Sequence, residues 1–580
     1  MVIGKRLTGI ILLSFSALNL LFMHYYVFLN HYNEDVLLAY QHGFNLFGVI
    51  IDISILLLLF LLFTWGKLKL SLLLSFITTW LWSFVNVFYV RFFGQYLTLS
   101  VMSQASNLTD QAVMNSMMSG FQWTDLWYPI ILLAFIAVYR KATIPQLSRK
   151  MLWELLLIPF CCLGLTYLTY ITYHYAKSDT RNNTILLKGR LCGIMSNGTR
   201  NSFPNIERFC AGSLRILAWE VYDLFHTIEL SPEQRAAIAS EASDTSERVT
   251  PEFQANEEIK NVVFVVLESF LSAPIGLEVD GKEITPFMNS LMRDSTVYYN
   301  SHVIPNITIG ESGDGQFIFM TGLLPLRDKL TVGEAKTQTL PAFPKLLAQK
   351  KETQYTEIVI PSPPQVWEQT YMNKVYGIDN MFCNWDVLGK VVDYLNDEQL
   401  FTLAMNSQKH LNQPFFSIIL SYSTHQPYRT PVDNSMTLSD PSLTNSYKNY
   451  LIACHYSDSW LERFVEDLKR KGVYDNCLLI ITADHSAHLD AFGMGDKLTK
   501  ELPLFIIHGN INTEQVWHGP MNQLDIYTTL LDLLKIDSNW HGLGHSILKS
   551  DYRNSVTEKT WLLSELIIKG NYFGTKEKQE

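Results

Sequence analysis

Three short segments, far apart in the chain, carry side chains that could bind a metal ion or act as a nucleophile. Glu268 follows the run Asn-Val-Val-Phe-Val-Val-Leu, Ser312 lies within Gly-Glu-Ser-Gly-Asp-Gly, and the pair Asp484-His485 follows Leu-Leu-Ile-Ile-Thr-Ala. Carboxylate and imidazole groups are ligands for divalent cations, and a bound cation makes a hydroxyl group more acidic. Together these residues predict an enzyme in which a metal ion activates Ser312 as a nucleophile.

Each of these signals also has a simpler explanation. A carboxylate such as Glu268 at the end of a buried strand is costly unless it is paired, but a helix cap or a salt bridge would also pair it. The Asp484-His485 pair is more specific, since it suits Mn²⁺, Mg²⁺ or Zn²⁺, and the imidazole favours Mn²⁺ or Zn²⁺. Around Ser312, the glycines permit a close approach, and a helix predicted at 316–320 would direct N–H groups at an anion. Glycine-rich turns are common without such a role.

The elements that must position these residues alternate between strand and helix. Short apolar runs without polar interruption suit strands that are covered on both faces, as in a parallel sheet. These runs lie at 261–267, 356–360, 414–420, 477–482 and 502–507, and predicted helices lie at 286–293, 342–351, 446–470 and 522–535. Ligands of such folds gather at the carboxyl ends of the strands, where Glu268, Asp484 and the Thr424-His425 pair fall. The sequence therefore predicts an α/β/α sandwich with a mainly parallel sheet.

The N-terminal part of the chain has a different character. Five apolar stretches, at 7–28, 44–65, 70–90, 124–139 and 152–174, mostly approach the roughly 20 residues that a membrane-spanning helix needs. Lys and Arg concentrate before the first stretch and in alternate loops, which predicts a cytoplasmic N-terminus and an exported region after residue 175. Asp52 lies inside the second stretch, where a carboxylate is a functional candidate unless it sits near the outer interface.

These patterns divide the chain into four parts. We expect a transmembrane domain of five helices at 1–175, linker helices at 176–257, the catalytic domain at 258–560 and a C-terminal tail at 561–580.

The charge of the chain is unevenly distributed. Residues 1–175 hold nine Lys and Arg against six Asp and Glu, a net charge of +3. Since the whole chain carries −10, the remaining residues carry −13. An acidic exported part argues against nucleic acid as a partner, because nucleic-acid binding needs a basic surface. Cys192 and Cys210 flank a polar exported loop and are candidates for a disulfide.

Taken together, the segments resemble the alkaline phosphatase/sulfatase superfamily, and within it the lipoteichoic acid synthase-like phosphoglycerol transferases. The matching motifs, besides the three segments, are Thr285-Pro-Phe-Met-Asn-Ser-Leu, Trp367 before Tyr376-Gly377, Ser423-Thr-His425-Gln-Pro-Tyr and Asn522-Gln-Leu-Asp525-Ile-Tyr-Thr-Thr-Leu-Leu. The resemblance implies five N-terminal spans followed by an exported sulfatase-like domain. It also implies one divalent metal, Mn²⁺ first with Mg²⁺ or Zn²⁺ as alternatives, whose ligands are Glu268, Ser312, Asp484 and His485.

The implied function is transfer at the outer face of a bacterial plasma membrane, in a multi-pass protein whose catalytic domain is extracellular or periplasmic. Ser312 would take a phosphoglycerol-type head group from a phospholipid donor and pass it to an envelope glycan or lipid acceptor. His425 would act as a general acid/base or phosphate contact, and Trp367 and Gln369 would bind substrate. Without the resemblance, His425 could be a hydrogen-bonded loop residue and Trp367 plain core.

The chain also departs from the family pattern. The usual nucleophile is Thr, whereas here it is Ser312; Glu311 replaces a basic neighbour, and Gln369 stands where the synthases have Arg. Both of the latter changes remove positive charge that would contact a glycerol-phosphate group. No Cys/Ser-x-Pro-x-Arg motif surrounds Ser312, which argues against sulfate-ester hydrolysis. The alternatives are a phosphoethanolamine transferase, which the few scattered cysteines disfavour, and an inactive envelope-binding homologue. His488 and His518 are further candidates for a peripheral site or a second metal.

Overall fold

The structure is a computed structural model, and the residues that it describes form two compact units. Of the described residues, those up to Asp223 belong to one unit and those from Glu229 onward belong to the other. The described residues are 2–30, 44–93, 96–99, 121–144, 212–223, 229–242, 261–327, 329–390, 393–407, 414–428, 436–488, 499–509, 516–550 and 556–574, with positions 153, 157, 161, 259, 511 and 552–554. Almost all of the fifth apolar stretch, and both Cys192 and Cys210, lie outside them, so the predicted fifth span and disulfide stay predictions.

The N-terminal unit is helical. Its longer helices are Val2–Asn30, Phe44–Phe63, Leu68–Phe93 and Trp127–Lys141. Within the described residues, two segments are long and apolar enough to cross a membrane, Leu7–Val27 and Leu68–Arg91, and Gly48–Phe63 is a shorter apolar helix. The structure thus contains two candidate spans, and the five-span topology remains an expectation.

Asp52 has a structural role in this unit. Its carboxylate is completely buried and accepts hydrogen bonds from the Ser213 hydroxyl at 3.0 Å and from the N–H groups of Leu214 and Arg215 at 3.1 Å each. These donors open the helix Ser213–Asp223, whose first N–H groups have no partner within the helix itself. Asp52 therefore caps that helix from a neighbouring one, which accounts for a carboxylate within an apolar stretch.

The C-terminal unit is built on an eight-stranded sheet, whose strands are β1 Asn261–Leu267, β4 Tyr298–Ile304, β5 Tyr355–Val359, β6 Asn380–Phe382, β7 Phe415–Leu420, β8 Cys477–Ala483, β9 Leu502–Ile507 and β10 Met521–Asn522. A separate hairpin pairs β2 Glu278–Val279 with β3 Lys282–Glu283. The strands of the large sheet lie in the order β10-β4-β9-β8-β1-β7-β5-β6. Strand β9 runs antiparallel to β8 and β4, and the other pairings within this sheet are parallel. The predicted mainly parallel sheet is confirmed.

Helices surround this sheet, and the structure has a helix in each of the four ranges predicted at 286–293, 342–351, 446–470 and 522–535. Their bounds are Pro232–Ala242, Pro286–Arg293, Glu311–Thr321, Thr331–Ala335, Phe343–Lys351, Gln369–Tyr376, Asn384–Leu388, Asp397–Ser407, Asn445–Arg470, Asp525–Leu533 and Glu558–Lys569. Strands β1 and β8 are buried at every position, which explains their uninterrupted apolar runs. In their parallel register Leu267 is level with Ala483, so the residues that follow each strand emerge side by side.

The last of these helices, Glu558–Lys569, crosses the boundary predicted at residue 560. Leu563, Ile567 and Ile568 of this helix are buried in the same core as the sheet. Arg327 contributes a double ion pair, with its guanidinium 3.0 Å from both Glu558 and Glu565. The core of this unit therefore extends beyond residue 560.

The long helix Asn445–Arg470 holds a neighbouring helix through one carboxylate. Asp458 accepts hydrogen bonds from the N–H groups of Phe287 at 2.8 Å and Met288 at 2.9 Å, at the start of the helix Pro286–Arg293. The side chain is buried, and this burial raises the pKa of Asp458 to about 7.

Candidate active site

The four predicted metal ligands converge at the carboxyl ends of β1 and β8. The Ser312 hydroxyl oxygen lies 3.1 Å from Glu268 Oε2 and 3.4 Å from His485 Nε2. His485 Nε2 is in turn 3.4 Å from Glu268 Oε1 and 3.7 Å from Asp484 Oδ2. Ligand atoms of Glu268, Asp484 and His485 lie within 4.8 Å of one another, and all three residues are buried.

Hydrogen bonds between the strand ends fix the two carboxylates. The Asp484 N–H donates to the Leu267 carbonyl oxygen at 3.2 Å, continuing the ladder between β1 and β8. The Ser269 N–H donates to Asp484 Oδ1 at 2.8 Å, and the Ser421 hydroxyl accepts from the Glu268 N–H at 2.9 Å. Because β1 and β8 are parallel neighbours that end at the same level, the carboxylates of Glu268 and Asp484 lie close together.

Ser312 lies within the first turn of the helix Glu311–Thr321, which begins five residues before the predicted start at 316. The chain before the helix is fixed by Asp314, whose Oδ2 accepts from the N–H groups of Thr308 and Gly310 at 2.9 Å each. Burial raises the pKa of Asp314 to about 6. The first N–H groups of a helix have no partner within the helix, so those of this first turn can donate hydrogen bonds to an anion bound beside Ser312.

Gly315 allows this helix to approach the end of β8. A Cβ atom at this position would lie 2.5 Å from the Asp484 carbonyl oxygen and 2.9 Å from the Asp484 Cα. Separations of that size are well inside van der Waals contact. The glycine-rich segment therefore permits the close approach that the sequence analysis expected.

The electrostatics of the cluster favour a cation. Burial, and then the charge of Glu268, raise the pKa of Asp484 to about 7. Burial alone would also raise the pKa of Glu268, but the hydrogen bond and charge of His485 hold it below the usual range. For His485, burial lowers the pKa, yet the surrounding carboxylates raise it well above the ordinary value. Since no Lys or Arg of the described residues forms an ion pair with Glu268 or Asp484, this donor set fits a divalent metal ion.

His425 lies beside the same cluster. The preceding Thr424 donates its hydroxyl hydrogen to the backbone carbonyl oxygen of Glu268, and the charge of His425 helps to lower the pKa of Glu268. Tyr422 stacks on the His425 ring at 4.9 Å between centroids. His425 Nδ1 lies 2.5 Å from the Gln426 carbonyl oxygen. Its role as acid/base or phosphate contact stays a prediction.

The two other predicted substrate contacts differ in their placement. Trp367 packs beside the Ser312 turn, because a Cβ atom at Gly313 would lie 3.2 Å from Trp367 Cδ2. Gln369 is only 3% exposed, and its amide nitrogen donates to Asn373 Oδ1 at 2.7 Å within the same helix. The structure therefore brings Trp367 to the nucleophile, and substrate binding by either residue remains a prediction.

Sequence reasoning missed supporting residues of this site and one contact between residues that it had named. Supporting residues include Gln523, whose amide donates to the Asp484 carbonyl oxygen at 2.7 Å. His488 was a candidate for a peripheral site or a second metal, and Glu311 was a departure from the family pattern, but their pairing was not predicted. Glu311 Oε2 lies 3.3 Å from His488 Nε2 and 3.5 Å from His485 Nδ1. The available signal was the spacing of the two histidines, three residues apart directly after a strand. His518, in contrast, packs on Tyr298 at 5.1 Å between ring centroids.

Two family models match complementary parts of the chain. The lipoteichoic acid synthase N-terminal domain matches residues 4–184, and the sulfatase family matches residues 260–536. Lipoteichoic acid synthase 2 of Bacillus subtilis (strain 168) is 26% identical over 529 residues, covering 86% of this chain and 77% of that protein. Lipoteichoic acid synthase of Staphylococcus aureus (strain USA300) is 25% identical over 490 residues, covering 78% and 71% respectively.

A solved structure shows the same fold over nearly the whole length. The integral membrane protein lipooligosaccharide phosphoethanolamine transferase A from Neisseria meningitidis aligns with a TM-score of 0.52 and 14% identity, covering 95% of this chain and 99% of that one. At this identity the similarity concerns the fold alone. From these matches, residues 260–536 belong to the sulfatase family and residues 4–184 to the family of lipoteichoic acid synthase N-terminal domains, so the chain is a lipoteichoic acid synthase-like member of the sulfatase/alkaline phosphatase superfamily in these two regions.

Proposed function

We propose that this protein is a membrane-anchored, extracytoplasmic transferase that moves a phosphoglycerol-type head group from a phospholipid onto an envelope glycan or lipid. One observation carries the proposal: the Ser312 hydroxyl lies 3.1 Å from Glu268 and 3.4 Å from His485, within a buried group of metal-binding side chains. The relatives named lipoteichoic acid synthases support the same class of reaction.

Glu268, Asp484, His485 and the Ser312 hydroxyl would together hold one divalent cation. A mixed set of carboxylate and imidazole donors suits Mn²⁺ best, with Mg²⁺ or Zn²⁺ as alternatives. Bound there, the cation would supply Lewis-acid chemistry that lowers the pKa of the hydroxyl and offsets negative charge on the phosphate oxygens.

The residues of the chain then carry out two displacements. Ser312 Oγ loses its proton and attacks the phosphorus of the donor lipid; the bond from phosphorus to the diacylglycerol oxygen breaks, and diacylglycerol leaves with a proton. A phosphodiester on Ser312 remains. In the second displacement an acceptor hydroxyl attacks that phosphorus and gives up its proton to His425, while the bond from phosphorus to the Ser312 oxygen breaks. The proton held by His425 then passes to the Ser312 oxygen and restores its hydroxyl. The N–H groups at the start of the Ser312 helix stabilise charge on the phosphate oxygens.

Membrane anchoring suits this chemistry, because the phosphate of a donor lipid lies at the bilayer surface. The two candidate spans and the match to the synthase N-terminal domain support an anchored protein. We further propose that the chain crosses the bacterial plasma membrane five times, with its N-terminus in the cytoplasm and its catalytic unit outside, as the distribution of Lys and Arg predicts.

A phosphoethanolamine transferase is the second candidate. Glu311 and Gln369 replace the basic residues of the synthase pattern, so the positive charge that would contact a glycerol-phosphate group is missing from both positions. A head group with its own positive charge would depend less on such residues.

Reconstitution of the full chain in bilayers tests both candidates. Vesicles would contain phosphatidylglycerol or phosphatidylethanolamine, and released diacylglycerol would be quantified with and without a chelator. We expect diacylglycerol to be released from phosphatidylglycerol, and the rate of release to fall by on the order of 10³-fold in Ser312→Ala. Ser290→Ala is the matched control, since the Ser290 hydroxyl donates to the Phe287 carbonyl oxygen of its own helix, away from the predicted metal ligands.

Three outcomes would separate the candidates. Release from phosphatidylethanolamine alone would favour the second candidate over the first. Equal release by wild type and Ser312→Ala would remove Ser312 from the chemistry. No release from any phospholipid would support an inactive envelope-binding homologue.

A further inference from the structure

The carboxylate of Glu311 lies beside the proposed metal ligands but is not one of them. Glu311 is 5% exposed, and its Oε2 receives no hydrogen bond from any residue that the structure describes. The backbone φ of Glu311 is +43°, a left-handed conformation that typically costs on the order of 1 kcal/mol in a non-glycine residue. The fold thus buries a carboxylate oxygen at a strained position, one residue before the nucleophile.

His488 is the nearest partner of this carboxylate, and the spacing suits metal coordination. Glu311 Oε2 lies 3.3 Å from His488 Nε2. Two ligand atoms at bonds of about 2.0–2.2 Å to a tetrahedral ion are themselves roughly 3–3.5 Å apart. The ligand atoms of Glu311, His485 and His488 all fall within 4.8 Å of one another.

His485 lies between the proposed metal ligands Glu268 and Asp484 on one side and the Glu311–His488 pair on the other. The contacts of its two ring nitrogens assign it to the ligands on the first side. Nε2 faces Glu268 at 3.4 Å and Ser312 at 3.4 Å. Nδ1 lies 2.9 Å from the Ser486 carbonyl oxygen, so this nitrogen carries the hydrogen and donates it. Glu311 and His488 therefore remain as ligands for a separate ion.

We propose that Glu311 and His488 bind a second divalent cation next to the first, in an open site completed by water and by a phosphate oxygen of the substrate. Carboxylate and imidazole donors favour Mn²⁺ or Zn²⁺. Sites with few protein ligands that recruit substrate phosphate are a common arrangement for phosphoryl transfer.

The second cation would also account for the departures at positions 311 and 369. The synthase pattern has positive side chains there, whereas this chain has Glu311 and the neutral Gln369. A divalent ion on Glu311 would restore positive charge beside the transferred phosphate. This substrate role rests on the proposed function, but ion binding itself does not.

Metal counting on the full-length protein tests the site. The protein would be stripped with a chelator, equilibrated with Mn²⁺ or Zn²⁺ with and without inorganic phosphate, and analysed for metal content by mass spectrometry. We expect two ions per chain in wild type, one in His488→Asn and one in Glu311→Gln. His302→Asn is the matched control and should retain two, because His302 pairs with a different carboxylate, Glu501, at 2.9 Å.

Electron paramagnetic resonance of the Mn²⁺ form gives a second readout that does not depend on activity. Magnetic coupling between two ions should appear in wild type and disappear in His488→Asn. A wild-type content of one ion, or two ions retained in both variants, would overturn the proposal and leave Glu311 and His488 as an ion pair. Two bound ions without any head-group transfer would instead refute the proposed function and keep this site.

Discussion

Gly315→Ala tests whether the position of the Ser312 helix matters for catalysis. The added methyl group would lie 2.5 Å from the Asp484 carbonyl oxygen and 2.9 Å from its Cα, and both are backbone atoms at the end of a buried strand. Because neither can swing away, the helix must shift by on the order of 1 Å to restore normal contact. Ser312 would move with the helix, away from Glu268.

The expected effects follow from that displacement. Misplacing a reacting group by about 1 Å costs on the order of 10²-fold in rate. Overpacking of this kind also lowers the free energy of unfolding by about 1–3 kcal/mol. The rate would be measured as diacylglycerol release from phosphatidylglycerol vesicles by the reconstituted protein, below the melting temperature of the variant.

Gly333→Ala is the control for this substitution. Gly333 also lies in a helix, and a Cβ atom there meets nothing within 4 Å. Since alanine is the better helix former, by up to about 1 kcal/mol, this variant should keep its rate and gain slightly in melting temperature. A Gly315→Ala protein with the wild-type rate and metal affinity would refute the reasoning, since it would show that the helix need not touch β8.

Three further substitutions test structural claims, each through unfolding experiments in detergent. Burial raises the pKa of Asp458 to about 7, so between about pH 4 and pH 7 the Asp458 carboxyl stays protonated in the folded protein and loses its proton in the unfolded chain. As the pH rises from about 4 to about 7, the free energy of unfolding of the wild type should therefore fall relative to that of Asp458→Asn. A difference between the two proteins that does not change with pH would contradict this. Asp52→Ala should cost roughly 1–2 kcal/mol and expose the helix Ser213–Asp223 to proteases, by loss of its cap; unchanged proteolysis would count against the cap. Arg327→Ala should cost roughly 3–5 kcal/mol by removing the cation that pairs with buried Glu565. Lys559→Ala, at an exposed pair, should change the stability little, and equal effects would argue against the buried ion pair.

The sequence predicted the central sheet well because its strands are buried on both faces. The runs that became β1 and β8 are apolar apart from Asn261 at the start of β1 and Thr482 near the end of β8, so the strand ends, and the positions of Glu268 and Asp484, could be predicted. Strand β4 was missed because Tyr-Tyr-Asn-Ser-His-Val-Ile alternates buried and partly exposed positions and pairs antiparallel with β9.

The site was predictable only where its residues follow a strand directly. The start of the Ser312 helix was placed too late, because glycines at 313 and 315 are typical of a turn, and the contacts that hold the helix start come from Thr308 and Asp314. The pairing of Glu311 with His488 depends on a tertiary contact between this helix and the segment after β8, and local sequence carries little information about such a contact.

The central claim is that Ser312 receives the head group as a covalent intermediate. The most direct test is to incubate the reconstituted protein with metal and phosphatidylglycerol, quench it with acid, and map the digested peptides by mass spectrometry. We predict a glycerol-phosphate adduct on Ser312 that disappears with chelator and in Ser312→Ala. An unmodified Ser312 under conditions that release diacylglycerol, or an adduct on another residue, would contradict the account.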